Sequence, residues 1–131
     1  MSRGRRVLRL FFVAVTTPVV FLLGWQSRLI YYPRPYVEED MRALKQAGGR
    51  RLDYGTSQGR QAAYYVPPSR VTKDQPQHIW LCFAGNASLA LDWLFALDGW
   101  DRSCGYLLID YPRYGFCEGK PSPASIRESS L

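Results

Sequence analysis

Histidine is nearly absent from this 131-residue chain, which holds His78 alone. That restricts general-base chemistry near neutral pH, where only an imidazole titrates without help from its surroundings. Serine is present but never in a G-x-S-x-G context, so the elbow that exposes a nucleophilic Ser is missing. Cysteine is scarce as well, and Cys82, Cys104 and Cys117 lack the C-x-x-C spacing of zinc and redox sites. No metal site is expected. Acidic residues are wholly missing between Met1 and Tyr36, a stretch that carries six Arg.

That last absence explains the net charge of +6. From Val37 onward, eleven Lys and Arg are cancelled by eleven Asp and Glu. The basic excess therefore belongs to the N-terminus, and the remainder has no basic stripe to follow a phosphate backbone. No nucleic acid is expected as a partner. A hydrophobic content of 47% with 21% charged residues is ordinary for one globular domain.

Arg3, Arg5, Arg6 and Arg9 precede an uncharged run of 18 residues, Leu10 to Ser27. Crossing a bilayer takes roughly 20 apolar residues, with about 17 as the lower limit. Trp25 sits where an interfacial aromatic belongs, while Thr16, Thr17 and Pro18 weaken the middle. A basic start before an apolar stretch also describes a cleaved signal peptide, but Leu23-Gly24-Trp25 is a poor cleavage site. The expectation over residues 1–27 is a basic segment followed by a single retained transmembrane helix. The positive-inside rule puts its N-terminus in the cytoplasm and the C-terminal bulk across the membrane. The membrane is thus an expected partner.

Residues 28–49 are expected to form an aromatic, proline-containing connector and a short helix. That helix has acids in its first turn, a late Lys, and Gly48-Gly49 at its end. From residue 50 to 131 the pattern changes. RRLDYGTSQGRQAAYYVPPS predicts two strands around a turn, and VTKDQPQ a polar loop. HIWLCFAG, residues 78–85, is a continuous apolar run of the kind found in strands buried on both faces, with Cys82 in the core. In NASLALDWLFALDGW, the residues Leu89, Trp93, Leu94 and Leu97 follow helical spacing. CGYLLID predicts a second buried strand, and Ser122-Pro123 with a capping box at Ser125 and Glu128 predicts a final helix. This order indicates an α/β fold with a mostly parallel central sheet. The last helix stops short, so the sheet is expected to be incomplete, with LLID on its open edge. A Cys104–Cys117 disulfide is left open.

Two chemistries suit a strand, Gly turn, helix, strand and Asp in succession. One is dinucleotide binding, with Gly85 opening a helix and Asp110 about 25 residues later. The turn AGNAS holds a single Gly, however, where the fingerprint needs G-x-G-x-x-G.

The other is acyl transfer. LCFAGNAS resembles the oxyanion-hole strand and turn of the α/β-hydrolase superfamily, usually HGN-x-x after an apolar strand. IDYPRYGFCEGKPS closely resembles the D-Y-x-G-Y-G-x-S-x-G-x-P-S loop of its serine-aminopeptidase-like and membrane-anchored members. LIYYPRP after an apolar N-terminus also resembles anchored hydrolases. The resemblance covers roughly residues 28–131, both motifs lie at the family's separation, and it implies the N-terminal part of an α/β-hydrolase fold. It further implies a serine hydrolase acting on a small-molecule ester or peptide-like amide, with no cofactor.

Carried onto this chain, the resemblance implies one oxyanion-hole donor, the backbone N–H near Asn86, just after Gly85. Gly85, Asp110, Gly115 and Gly119 become structural loop residues. Three positions depart from the pattern: Ala84 replaces a His, Arg113 a Gly, and Cys117 a Ser. The nucleophile, acid and His of a triad are absent, so no residue here is assigned a catalytic role. His78 is expected at a strand edge, and Ser88, Ser122 and Ser125 serve as caps or solvent-facing residues. Cys117 has no base near it in sequence. Asp110 is expected to accept backbone N–H groups from the turn that Pro112, Gly115 and Gly119 permit. A non-catalytic membrane protein with a vestigial hydrolase-like domain is the competing expectation.

Overall fold

The computed structural model describes residues 3–70 and 78–130, and the polar loop expected at 71–77 lies outside them. The chain divides into two compact units, Met1–Tyr31 and Tyr32–Leu131.

The first unit is one helix, α1 (Arg3–Ile30), which continues beyond the uncharged run. Pro18 removes one backbone N–H inside it without ending it. Thr16 Oγ1 donates to the Phe12 carbonyl at 2.8 Å, so a polar side chain at mid-helix satisfies itself locally. Phe21 stacks on Trp25 at 4.9 Å, and the Arg28 guanidinium lies over the Trp25 ring. The window Arg9–Gln26 has a mean hydropathy of 1.5, and none of it is buried. This helix is long and apolar enough to cross a membrane.

The second unit is mixed α/β. Its first helix, α2 (Glu38–Gln46), starts where the Asp40 carboxylate accepts the Val37 N–H at 2.9 Å. It ends where Gly48 takes a φ of +69°, a conformation that costs glycine nothing. A hairpin follows, β1 (Arg50–Thr56) and β2 (Gly59–Val66), antiparallel from Arg50↔Tyr65 to Thr56↔Gly59. Then come β3 (Ile79–Phe83), a 3₁₀ turn (Ala90–Trp93), a single helical turn α3 (Leu94–Leu97), β4 (Gly105–Ile109) and α4 (Pro123–Ser129).

The four strands form one sheet in the order β1-β2-β4-β3. β3 and β4 run parallel, as expected, but β2 pairs with both β1 and β4 in antiparallel fashion. The described sheet is therefore mostly antiparallel and not mostly parallel. The hairpin is the cause, because its short turn reverses β2 before it reaches β4. The core lies on one face, where Tyr64, Val66, Tyr106 and Leu108 meet Leu44 of α2 and Leu91 of the 3₁₀ turn.

Four local expectations are corrected. β4 carries LLI through the middle of the sheet, and the edges are β1 and β3. β3 is accordingly not buried: Trp80 is 60% exposed and Leu81, on the other face, 56%. An apolar run is buried on both faces only where neighbouring layers cover it, and here β4 is its single strand partner. The segment from Asn86 to Trp100 is a 3₁₀ turn and one helical turn in place of one continuous helix. The stripe survives this change, since Trp93, Leu94 and Leu97 still pack on the core. α4 is capped by Ser122, whose Oγ accepts the Ser125 N–H at 3.1 Å. Glu128 instead reaches the β1–β2 turn, accepting the Ser57 N–H and hydroxyl, both at 2.6 Å.

All three cysteines are free. Cys104 precedes β4 and meets Asp101, whereas Cys117 follows β4 and packs against Ala62.

The position of β3 has a measurable consequence. Leu81→Lys should change stability by no more than about 0.5 kcal/mol, as at an ordinary surface site. It should also reduce self-association in light scattering, because a charge on an open edge discourages strand addition. A destabilisation of several kcal/mol in denaturant unfolding would place Leu81 in a buried layer.

Candidate functional site

Parallel pairing brings the carboxyl ends of β3 and β4 side by side, with Phe83 opposite Ile109. Each strand then runs into an irregular segment, 84–89 after β3 and 110–122 after β4. Such a strand end is where α/β proteins gather ligand-binding loops. Here the two loops and the connector are held together by one buried carboxylate.

Asp110 follows β4 directly and is fully buried. Its Oδ1 accepts the Ala90 N–H at 2.8 Å, and its Oδ2 accepts the Tyr36 hydroxyl at 2.7 Å. The Tyr36 oxygen in turn accepts the Leu91 N–H at 3.3 Å. The fully buried Tyr64 hydroxyl faces the same carboxylate without completing a regular hydrogen bond. Burial raises the Asp110 carboxyl above its ordinary value, opposed by the hydrogen bonds from Tyr36 and Ala90. Burial beside this carboxylate also pushes the Tyr36 and Tyr64 phenols well above their usual value. Asp110 does pin loops, but not through its own turn as expected. The backbone N–H it accepts comes from the start of the 3₁₀ turn, 20 residues earlier.

The turn after β3 makes a second tie. Asn86 Oδ1 accepts the Tyr114 hydroxyl at 3.0 Å, and the Tyr32 N–H lies within reach of both oxygens. The Gly85 carbonyl accepts the Ser88 N–H at 3.2 Å, and Ala87 between them has a φ of +62°. Gly85 and Asn86 are exposed, so the turn named by the oxyanion resemblance lies at the surface.

In the loop after β4, Tyr114 donates its N–H to the Tyr111 carbonyl, and Cys117 to that of Tyr114, both at 2.9 Å. Gly115 has a φ of +56°, and a Cβ there would overlap the Tyr36 ring and come within 2.7 Å of Asp110 Oδ2. Gly119, at φ +89°, lies against Gln58, where a Cβ would approach the backbone oxygen to 2.9 Å. Both glycines are therefore required by contact as well as by conformation. Arg113, standing where the family pattern has Gly, also adopts a left-handed φ of +73°.

Sequence reasoning missed the connector. Residues 28–36 read as a membrane-proximal connector, yet Tyr32, Arg34 and Tyr36 cross the site. The Gly115 N–H donates to the Arg34 carbonyl at 3.0 Å, and the Arg34 guanidinium pairs with Asp92. The alternation of Tyr32, Arg34 and Tyr36 was the available signal, since extended backbone sends alternate side chains to one face.

The other candidates lie elsewhere. His78 is exposed just before β3, roughly 17 Å of strand away from the Gly85 turn. Ser125 is buried with its hydroxyl on the Lys120 carbonyl, and Ser122 is the α4 cap. The Cys117 thiol is pushed up to about 11, chiefly by burial, and its sulfur sits 3.3 Å from the Ala62 nitrogen. A protonated, enclosed thiol is a poor nucleophile. Among the described residues, no serine or cysteine is hydrogen-bonded to an imidazole, and no three metal-ligating side chains converge.

The Asp110 cluster yields two expected outcomes. A carboxyl raised in the folded state binds its proton more tightly there than in the unfolded chain. Its stabilising effect is full below the unfolded value of about 3.9 and is lost as pH rises through the folded value. The stability of the native chain relative to Asp110→Asn should therefore fall as pH rises through that window in urea unfolding. A pH-independent difference would contradict the assignment. Asp110→Ala should cost ~2–4 kcal/mol, since the Tyr36 and Ala90 donors lose their acceptor. Separately, Arg113→Gly should stabilise the chain by about 1 kcal/mol, because a left-handed φ is strained for Arg. A lower melting temperature in that variant would instead assign Arg113 a stabilising contact.

Comparison with known proteins finds no matching family model, no matching curated protein and no matching solved structure.

Proposed function

We propose that this chain is the membrane-anchored N-terminal part of an α/β-hydrolase-like protein, carrying the oxyanion side of the site and no catalytic residue. One observation carries the reading. The turn at Gly85 and Asn86 and the loop opened by Asp110 lie at adjacent carboxyl ends of two parallel strands, tied by Asp110–Ala90 and Asn86–Tyr114. The resemblance of both segments to the hydrolase motifs requires that neighbourhood. In this reading the backbone N–H near Asn86 is one of two donors that hold a tetrahedral oxyanion. Asp110 and Tyr36 fix the turn's position and take no part in proton transfer. The substrate class is an ester or a peptide-like amide, split by a Ser and His that these residues do not supply. α1 supplies the anchor, with the Arg-rich end cytoplasmic and the second unit on the opposite face.

A donor can stabilise an oxyanion but cannot create one. The purified 131-residue chain in detergent should therefore give no saturable turnover of p-nitrophenyl esters and no stoichiometric labelling by a fluorophosphonate. It should also stay with membranes through a carbonate wash. Extending the reading frame beyond Leu131 should add a G-x-S-x-G about 20–40 residues on and restore labelling. A stop codon at that point, or labelling of the short chain abolished by changing one Ser, would overturn the proposal.

A further inference from the structure

Away from the loops at the carboxyl ends, the core-side face of the β3 edge carries a small aromatic recess. Trp80 and Tyr106 are direct partners in the parallel β3–β4 ladder, so their rings stand on the same face. Trp100 leans against Tyr106 with ring centroids 5.5 Å apart, and Trp93 backs Trp100 at 5.6 Å. Trp80, Trp100, Tyr106 and Asp101 line an open recess of about 380 Å³, whose walls are almost entirely apolar. Tyr106 is held in place by its hydroxyl, which donates to the Asp101 carbonyl at 2.7 Å.

Asp101 is the one charged residue that lines this recess. Asp101 Oδ1 accepts the Ser103 N–H at 2.9 Å and the Ser103 hydroxyl at 2.7 Å, which fixes the carboxylate without neutralising it. The adjacent Arg102 guanidinium is turned onto the carbonyl and carboxylate of Asp98. Among the described residues, no Lys or Arg nitrogen lies within 4 Å of Asp101. The Cys104 thiol donates to Asp101 Oδ2 at 3.6 Å, and hydrogen bonds from Ser103 lower the Asp101 carboxyl below its ordinary value. The arrangement is three aromatic rings and one acidic residue around an open, apolar-walled recess.

We propose that Trp80, Trp100, Tyr106 and Asp101 form a binding site for a quaternary ammonium group. The rings offer the negative faces of their quadrupoles to a cation, and the carboxylate adds a complementary charge. A lysine ammonium is strongly hydrated and fits carbon walls poorly. A trimethylammonium group is large, soft and weakly hydrated, so it lies against carbon walls without leaving N–H donors unpaired. A neutral apolar group would meet the same walls but gain nothing from Asp101. This inference does not depend on the hydrolase reading, because no residue of the site belongs to the loops at the strand ends.

The test is calorimetric titration of the full chain in dodecyl maltoside, a detergent with no ammonium headgroup. Choline chloride should bind saturably in the low-millimolar range or tighter. Dimethylbutanol, in which carbon replaces the ammonium nitrogen, should bind at least about tenfold more weakly. Trp80→Ala removes an exposed ring and should weaken choline about tenfold with an unchanged melting temperature. Asp101→Asn, which retains an acceptor for Ser103, should weaken it by a similar factor. Glycerophosphocholine distinguishes the sources: tighter binding than choline points to a lipid headgroup, weaker binding to a free cation, and either upholds the site. Absence of choline binding, equal binding of dimethylbutanol, or indifference to both folded variants would overturn the proposal.

Discussion

A buried carboxylate that must keep its hydrogen-bond donors organises the second unit. Asp110 lies where β4 ends, and water cannot reach it. An unpartnered anion in that position is far costlier than any single contact in the domain. The Tyr36 hydroxyl and the Ala90 N–H must therefore stay where they are. These two donors come from segments 54 residues apart, so one side chain sets the positions of the connector, the 3₁₀ turn and the end of the central strand.

Other features follow from that tie. Tyr36 approaches Asp110 so closely that Gly115 has no room for a side chain. The Tyr36 ring packs edge-on against Tyr64 at 5.4 Å and tilts onto Phe116 at 5.5 Å, which couples the polar cluster to the core. The connector consequently behaves as part of the domain, and the compact unit begins at Tyr32. A turn held from two sides in this way keeps its backbone groups in fixed directions. That is the property an oxyanion-binding turn needs, since preorganised donors require no rearrangement during reaction.

Apolar surface is distributed unevenly. Among the described residues α1 exposes its large apolar side chains from Leu10 to Ile30, and β3 exposes Ile79, Trp80 and Leu81 at the edge of the sheet. Within the exposed β3 surface the two faces differ. Trp80 borders other aromatic rings and an anion, whereas Ile79 and Leu81 lie on the opposite face. One strand thus presents an aggregation-prone edge and a recess with a defined chemical preference.

Much of this was legible in the residues because it rests on short-range rules. The helical span before Ile30, the stop at Gly48, the hairpin about the Ser57 turn and the parallel β3–β4 pair follow from periodicity, turn chemistry and spacing. So does the exposed place of His78 just before a strand. Long-range matters were not readable. An apolar run such as IWLCF looks the same whether covered or open, and only the strand order decides that it is the edge. The Asn86 to Trp100 stripe fits both an α-helix and a 3₁₀ turn, and Asp110 drawing in the Ala90 N–H accompanies the shorter form. The sequence by itself determined which segments are helix, strand or turn, through propensity and patterning within a few residues. Only the tertiary structure decided what Asp110 holds, because its donors lie 20 and 74 residues away and a buried charge chooses partners by proximity in space.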